Sequence, residues 1–405
     1  MKLHSFSVKI SAVAIAMASL CGCQTKDTTK DIIQDNVDNA VAQLTLQTDI
    51  IEKSGKFLNP RTYENGKMNY VPIDDWCSGF FPGTLWYTYK LTGDKKWETL
   101  AAKYTEQLDS VKHLKWHHDV GFMIGSSYLN GLLLDGKEEY KPVIIEAAKS
   151  LSTRFRKGAG IIQSWNVDKG TWQAERGWTC PVIIDNMMNL EMLFESYLLT
   201  GDKSFYDIAV SHANVTMKNH FREDYSSFHV VDYDPVTGVV RSRVTHQGYS
   251  DDSFWSRGQG WALYGYTMCY RYTHDRRYLE QAMNVAKFLF SLKNMPEDGI
   301  FYWDMKDPAI PDAPRDASSA ALVASAFYEL QGYVDAELGK QYKAYADKIV
   351  NSLIDHYQAP VGSNQGFLLL HSTGHKPGNS EIDVPINYAD YFYMEALQRK
   401  ALIDN

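Results

Sequence analysis

A degenerate repeat limits what this chain can fold into. Tyr89-Lys90-Leu91-Thr92-Gly93-Asp94 is followed by Trp97 and then Ala101-Ala102. Tyr197-Leu198-Leu199-Thr200-Gly201-Asp202 is followed by Phe205-Tyr206 and Ala209, and Tyr270-Arg271-Tyr272-Thr273-His274-Asp275 by Tyr278 and Ala282. Weaker copies occur at Leu133-Leu134-Asp135-Gly136 and at Leu330-Gln331-Gly332-Tyr333. Each copy has a physical reading. A helix stops at a residue that tolerates the left-handed conformation, Asp or Thr caps the next helix, and an aromatic one turn later pins the pair. From Tyr278 to Leu292 the apolar positions Ala282, Val285, Ala286, Leu289 and Phe290 fall on one helical face. Five such hairpins, plus one expected at the start of the chain (Asp35 to Ser54), make six. Stacked helical hairpins form solenoids or closed toroids. Six favour an all-α fold, the closed (α/α)6 barrel, over an open α-solenoid.

Long inserts rich in Gly, Trp and His separate the copies: His113 to Asn130, Gly158 to Pro181, Phe221 to Ser256 and Lys293 to Ser318. In a helical toroid such inserts gather at one end and build the binding face, since loops on a rigid scaffold are where function concentrates. Residues 225 to 246 alternate well enough for a short β-hairpin turning at Asp234-Pro235-Val236-Thr237-Gly238.

The first residues read as a targeting signal. Lys2 and Lys9 are followed by an apolar run, Ile10 to Leu20, too short to span a bilayer. Leu20-Cys21-Gly22-Cys23 resembles a bacterial lipobox, which implies cleavage before Cys23 and lipidation of its thiol. The expected organisation is therefore a lipoprotein signal peptide (1–22), a polar tether (23–34) and a single catalytic domain (35–405). The only membrane contact expected is the anchor on Cys23, with the protein in the cell envelope facing the periplasm. Cys77, Cys180 and Cys269 cannot all pair with one another, so a disulfide framework is not expected. The chain has no Cys-x-x-Cys pair, and no metal site is expected. The formal charge of −8 argues against nucleic acid and means that any anionic ligand needs locally placed positive charge. Aromatic residues make up 13% of the chain, and many lie in the polar, Gly-rich inserts, which favours sugar-facing surfaces.

The densest functional segment is Trp255-Ser256-Arg257-Gly258-Gln259-Gly260-Trp261. Trp faces stack on sugar rings, and an Arg fork pairs a carboxylate or sulfate. Asp185 follows Pro181, which reads as the first helical residue and so places Asp185 in the second turn of a helix. There a carboxylate either complements the helix dipole or does chemistry. Asp119, before an apolar helical run, reads as an N-cap or as a second carboxylate. Two carboxylates held close push their pKa values apart, so one can stay protonated and act as an acid. His229 and Gln247 are candidates for positioning hydroxyls and water. Trp76, among Gly and Pro, is a stacking candidate, and His118 stands beside Asp119. Lys376, with neighbouring hydroxyls, could hold an anionic substituent.

Five motifs together resemble glycoside hydrolase family 88, the unsaturated glucuronyl hydrolases. They are Asp-Trp-Cys-Ser-Gly-Phe-Phe-Pro-Gly (75–83), His-His-Asp-Val-Gly-Phe (117–122), Ile-Asp-Asn-Met-Met-Asn-Leu (184–190), the Trp-Arg-Trp segment (255–261) and Asp-Val-Pro-Ile-Asn-Tyr-Ala-Asp-Tyr (383–391). Each is weak alone, and the specificity lies in their order and spacing over nearly the whole chain after the signal. The resemblance implies an (α/α)6 barrel with no metal or cofactor. The implied partner is an unsaturated uronic-acid oligosaccharide left by a polysaccharide lyase. It implies Asp185 as proton donor and then base, with Asp119 tuning it. Trp76 and Trp261 would wall the uronate site, and Trp255 and Arg257 would lie nearer the leaving sugar. Some relatives carry Ser–x–Ser–x–Lys. Here the span is Ser372-Thr373-Gly374-His375-Lys376, so one serine position is glycine. The competing readings are an unsaturated rhamnogalacturonyl hydrolase on the same barrel, a non-catalytic glycan-binding lipoprotein and an α/α-barrel epimerase.

Overall fold

The structure, a computed structural model, describes residues 28–404. The expected signal peptide (1–22) and Cys23 lie outside the described residues. Six helices form an inner ring: Phe80–Thr92; a run made of Val120–Ile124, a π segment Gly125–Leu129 and Asn130–Asp135; Leu190–Thr200; Ser256–Thr273; Ala317–Leu330; and Asn387–Asp404. Each packs on the next, and the last returns to the first. Six outer helices back them: Lys95–Glu106, Lys141–Ser152, Lys203–Asn219, Arg276–Phe290, Ala336–Ser352 and Thr28–Lys53. This is the expected (α/α)6 barrel.

Burial separates the two rings. Ala317–Leu330 is buried at nearly every position, with five alanines and three serines that let neighbouring helices approach. Arg276–Phe290 buries one face through Tyr278, Leu279, Ala282, Val285 and Leu289. The hairpin chemistry is as read from the repeat. Gly93, Gly201 and His274 end inner helices in the left-handed conformation, and Asp94, Asp202 and Asp275 then accept hydrogen bonds from backbone N–H groups of the following helix.

Two expectations change. The sixth unit is not a hairpin at the start of the chain: Thr28–Lys53 is an outer helix whose inner partner is the last helix, Asn387–Asp404, so the two ends of the chain close the ring. Residues 28–34, expected within the tether, are already helical. Closure also depends on Gly83, where a Cβ would lie 2.5 Å from the Tyr391 ring. Phe80 meets Tyr388, Tyr391 and Phe392 across the same seam.

Because an antiparallel outer helix follows each of the first five inner ones and returns the chain, all six inner helices start at the same mouth. The inserts collect there. The expected hairpin forms from Val230–Tyr233 and Val240–Val244 and is joined by Pro181–Ile183 in a three-stranded sheet. Pro181 therefore begins a strand, not a helix. Cys77, Cys180 and Cys269 are free and buried.

Candidate active site

The mouth where the inner helices start holds a cavity of about 330 Å³, lined by Trp76, Asp119, Phe122, Asp185, Gln247, Trp255 and Arg257 among others. The starts of three inner helices line it, at Asp119, Trp255 and Tyr388, and their partial positive charges favour an anion. An acidic protein can thus supply a positive field without a basic surface.

Asp185 lies in the first turn of a 3₁₀ segment, Ile184–Asn189, and not in the second turn of an α-helix. Strand Pro181–Ile183 delivers it: the Ile184 N–H donates to the His229 carbonyl at 3.0 Å, which fixes Asp185 beside His229. Asp185 is 8% exposed, and its Oδ2 has no hydrogen-bond partner among the described residues. Burial, with the like charge of Asp119 adding to it, pushes its pKa up to about 7. Its own backbone N–H, Arg257 and Trp261 oppose the rise without cancelling it.

Asp119 goes the other way. Burial alone would raise its pKa, but His118, His117 and Arg154 outweigh that and hold it below the usual carboxylate value. It occupies an N-cap position yet makes no capping bond, because its oxygens face His118 Nε2 at 3.2 Å and His117 Nδ1 at 3.3 Å. His118 is fully buried and does not line the cavity. The Asn189 amide donates to its Nδ1, so its proton sits on Nε2, 3.2 Å from Asp119 Oδ1. Burial lowers its pKa to about 4, so it is a neutral imidazole near pH 7. Its place is behind Asp119 and not against a sugar. The two carboxylates thus share one cavity with opposite pKa shifts, the pattern of an acid beside a permanent anion.

His229 is oriented with equal definition. The N–H groups of His246 and Gln247 both donate to its Nδ1, at 3.0 and 3.1 Å. The proton therefore sits on Nε2, which lies 3.8 Å from Asp185 Oδ2. Burial, then His246 and His375, keep its pKa well down, so it is a neutral N–H donor aimed at the acid. Gln247 reaches the Gly374 carbonyl, and Trp76 packs against Phe80, Phe122 and Tyr388 with a face left on the cavity.

Three expected ligand contacts are corrected. Arg257 is 2% exposed, and its fork is already filled by Asp316, Ser318 and the carbonyls of Thr373 and Gly374. It ties the 371–375 loop to the barrel and faces the cavity only as a committed charge under Trp255. Trp261 is fully buried between Phe122 and Phe392 in the barrel axis and does not line the cavity. What it offers is its otherwise unpartnered indole N–H, which favours the ionised form of Asp185. Lys376 is 3.2 Å from the buried Asp307 carboxylate and lies over Trp303, so it is not free to hold a substituent. In all three cases tertiary pairing has taken up the group that local sequence left open.

Other lining residues escaped the sequence reading. Trp165, Trp172 and Gln173 come from the 158–181 insert, and His246, His375, Glu381, Arg61 and Tyr388 complete the rim. Trp172 stacks on His246 at 4.3 Å and stays 39% exposed, an aromatic shelf at the entrance. Arg61 is paired with Glu381 and Asp75. The tryptophan-rich composition of the insert was the available signal. Which ring would face the cavity depends on long-range packing. Among the described residues no group of three His, Cys, Asp or Glu side chains is placed to hold a metal ion.

The model of Glycosyl Hydrolase Family 88 matches residues 51–398. The chain is 48% identical over 335 residues to an unsaturated glucuronyl hydrolase of Formosa agariphila, covering 82% of each. A crystal structure of an unsaturated glucuronyl hydrolase specific for heparin superposes with a TM-score of 0.86 at 43% identity, covering 92% of this chain and 98% of that one. A variant unsaturated glucuronyl hydrolase from Streptococcus agalactiae, complexed with dGlcA-GalNAc6S, gives a TM-score of 0.77 at 28% identity with 91% of both chains covered. With this barrel and this pair of carboxylates, the chain belongs to Glycosyl Hydrolase Family 88 and is a glycoside hydrolase.

Proposed function

We propose that this enzyme removes the Δ4,5-unsaturated uronic acid from the non-reducing end of lyase-generated glycosaminoglycan oligosaccharides of chondroitin, hyaluronan or heparin type. The observation that carries the reading is Asp185: a buried carboxyl with a pKa of about 7, next to an ionised Asp119 and a neutral His229, at the floor of an aromatic cavity. The proteins it resembles are named for unsaturated glucuronides and for a heparin-specific and a chondroitin-type ligand, and that supports the same substrate class.

In this reading the protonated Asp185 gives its proton to C4 of the vinyl ether, and the positive charge forms at C5 and the ring oxygen. The Asp185 carboxylate then takes a proton from water as the water oxygen bonds to C5. The product is a hemiketal. Its ring opens at the bond from C5 to the ring oxygen, and the hemiacetal left at C1 expels the remaining saccharide. Asp185 ends protonated, ready for the next cycle. His229 Nε2–H and Gln247 orient the water and ring hydroxyls. Trp76 packs on the uronate ring, and Trp172 with Trp255 carries the leaving sugar. The helix N-termini receive the uronate carboxylate, so no free Arg is required.

We also read Cys23 as the lipid-bearing residue of a periplasm-facing lipoprotein, on the strength of the Leu20-Cys21-Gly22-Cys23 motif. The test of function is the ultraviolet absorbance of the C4–C5 double bond in unsaturated chondroitin, hyaluronan, heparin and rhamnogalacturonan disaccharides mixed with the pure protein. Loss of absorbance with release of the reducing-end sugar on a glycosaminoglycan fragment is expected. Loss on the rhamnogalacturonan fragment alone would overturn the substrate class, and binding without loss would overturn catalysis.

A further inference from the structure

Thr28–Lys53 runs antiparallel to the last inner helix. Gln43 donates to the Phe367 carbonyl, and the neighbouring Leu368 N–H bonds Asp390 in the first turn of that inner helix. Asn36, seven residues earlier, meets Tyr393, further from the catalytic mouth. Thr28 is eight residues earlier again, on the order of 12 Å at 1.5 Å per residue, so the outer helix begins near the opposite mouth. Only Gln24 to Asp27 separate Cys23 from Thr28. At ~3.5 Å per residue, a lipidated Cys23 lies within about 18 Å of the helix start. The barrel is taller: the 18-residue helix Asn387–Asp404 spans about 27 Å.

The surface nearest that anchor carries exposed apolar side chains. Leu133, Leu198 and Leu402 stand at the far ends of three inner helices and are 47%, 64% and 69% exposed. Leu133 and Leu402 share the rim of one opening at that mouth, and Ile32, 41% exposed, lies near the start of the outer helix.

We propose that the non-catalytic mouth is the membrane-facing surface of the protein, with its leucine rim resting on the phospholipid that holds the anchor, so that the catalytic mouth opens away from the bilayer. The proposal rests on lipidation of Cys23. A short tether brings the rim to the lipid, and burial of three leucine side chains adds to the anchor. Large saccharides then reach Trp172 and the cavity without obstruction by the membrane.

The test uses the full chain, processed in bacteria and reconstituted in phosphatidylethanolamine–phosphatidylglycerol vesicles. Cys77, Cys180 and Cys269 are buried, so a fluorophore can be placed selectively at Leu198→Cys or at Tyr249→Cys, an exposed position beside the catalytic mouth. A quencher carried by the lipid acyl chains should dim the Leu198→Cys probe severalfold more than the Tyr249→Cys probe. The mass of the N-terminal peptide, with Cys23→Ala as reference, reports lipidation separately. A lipidated protein with both probes dimmed equally, or with Tyr249→Cys dimmed more, overturns the orientation and leaves the anchor standing. An unlipidated N-terminus overturns both.

Discussion

The two mouths of this barrel bury carboxylates in opposite ways. The non-catalytic cavity is the larger, about 440 Å³ against about 330 Å³, and is lined by Glu191, Glu329, Glu395, Arg271 and Arg399. Glu329 is as buried as Asp185, and burial would raise its pKa too. Arg271 and Arg399, at 3.1 and 3.0 Å, outweigh burial and hold it below the usual value. Glu395 accepts hydrogen bonds from Tyr87, Tyr264 and Ser325. Each charge there has its counter-charge within the fold. Asp185 has no such partner, and its pKa rises to about 7. The difference teaches that cavity size does not locate the chemistry. A carboxyl left without compensation at the catalytic cavity does, because Asp185 can change protonation near neutral pH; Asp390, also pushed up, to about 8, lines neither cavity and is held by the Leu368 and Leu369 N–H groups.

The largest effect expected from breaking this contrast is at Asp185. Asp185→Asn should lower turnover by about 10³-fold or more while fragment binding and folding persist, since it removes the only proton carrier. Single-turnover absorbance and calorimetric binding check the two halves. Next are the compensated charges. Arg399→Met should cost roughly 3–5 kcal/mol of stability in denaturant, because it strands Glu329 and Glu395, and should leave kcat nearly unchanged. Arg257→Met tests the same rule at the catalytic mouth. Its fork is full, so loss of stability should exceed any change in affinity for charged fragments.

A pH series sharpens the comparison further. The acid form of Asp185 is required, so kcat/KM should fall as pH rises through about 7. Stability follows the same group. Its folded pKa lies above the unfolded value, so the stability it contributes is complete below the unfolded pKa and is lost as pH rises through about 7. Asp185→Asn does not titrate, so its Tm advantage over the wild type should grow between pH 5 and pH 8. Smaller effects come from the rim. Trp172→Ala should raise KM about tenfold with kcat retained, the worth of one aromatic face. Lys376→Ala should change KM by about twofold or less on sulfated and unsulfated fragments alike, because Asp307 already holds that ammonium.

The sequence made the barrel legible because the repeat is local chemistry. Left-handed stops at Gly93 and Gly201 and caps at Asp94 and Asp202 need no knowledge of distant residues. Asp185, Asp119, His229 and Gln247 were legible through motif and spacing, and the structure brings them together. The roles of Arg257, Lys376 and Trp261 were not, because their partners lie far along the chain: Asp316 and Thr373, Asp307, and Phe392. Closure by the first and last helices was hidden for the same reason, and so was the secondary structure at Pro181, which pairs with a strand that begins at Val230.

The most direct test of the central claim is difference infrared spectroscopy of wild type against Asp185→Asn from pH 5 to pH 9. The account expects a protonated carboxyl band, absent from the variant, that disappears on titration with a midpoint near 7. A carboxyl already ionised at pH 5 would contradict it.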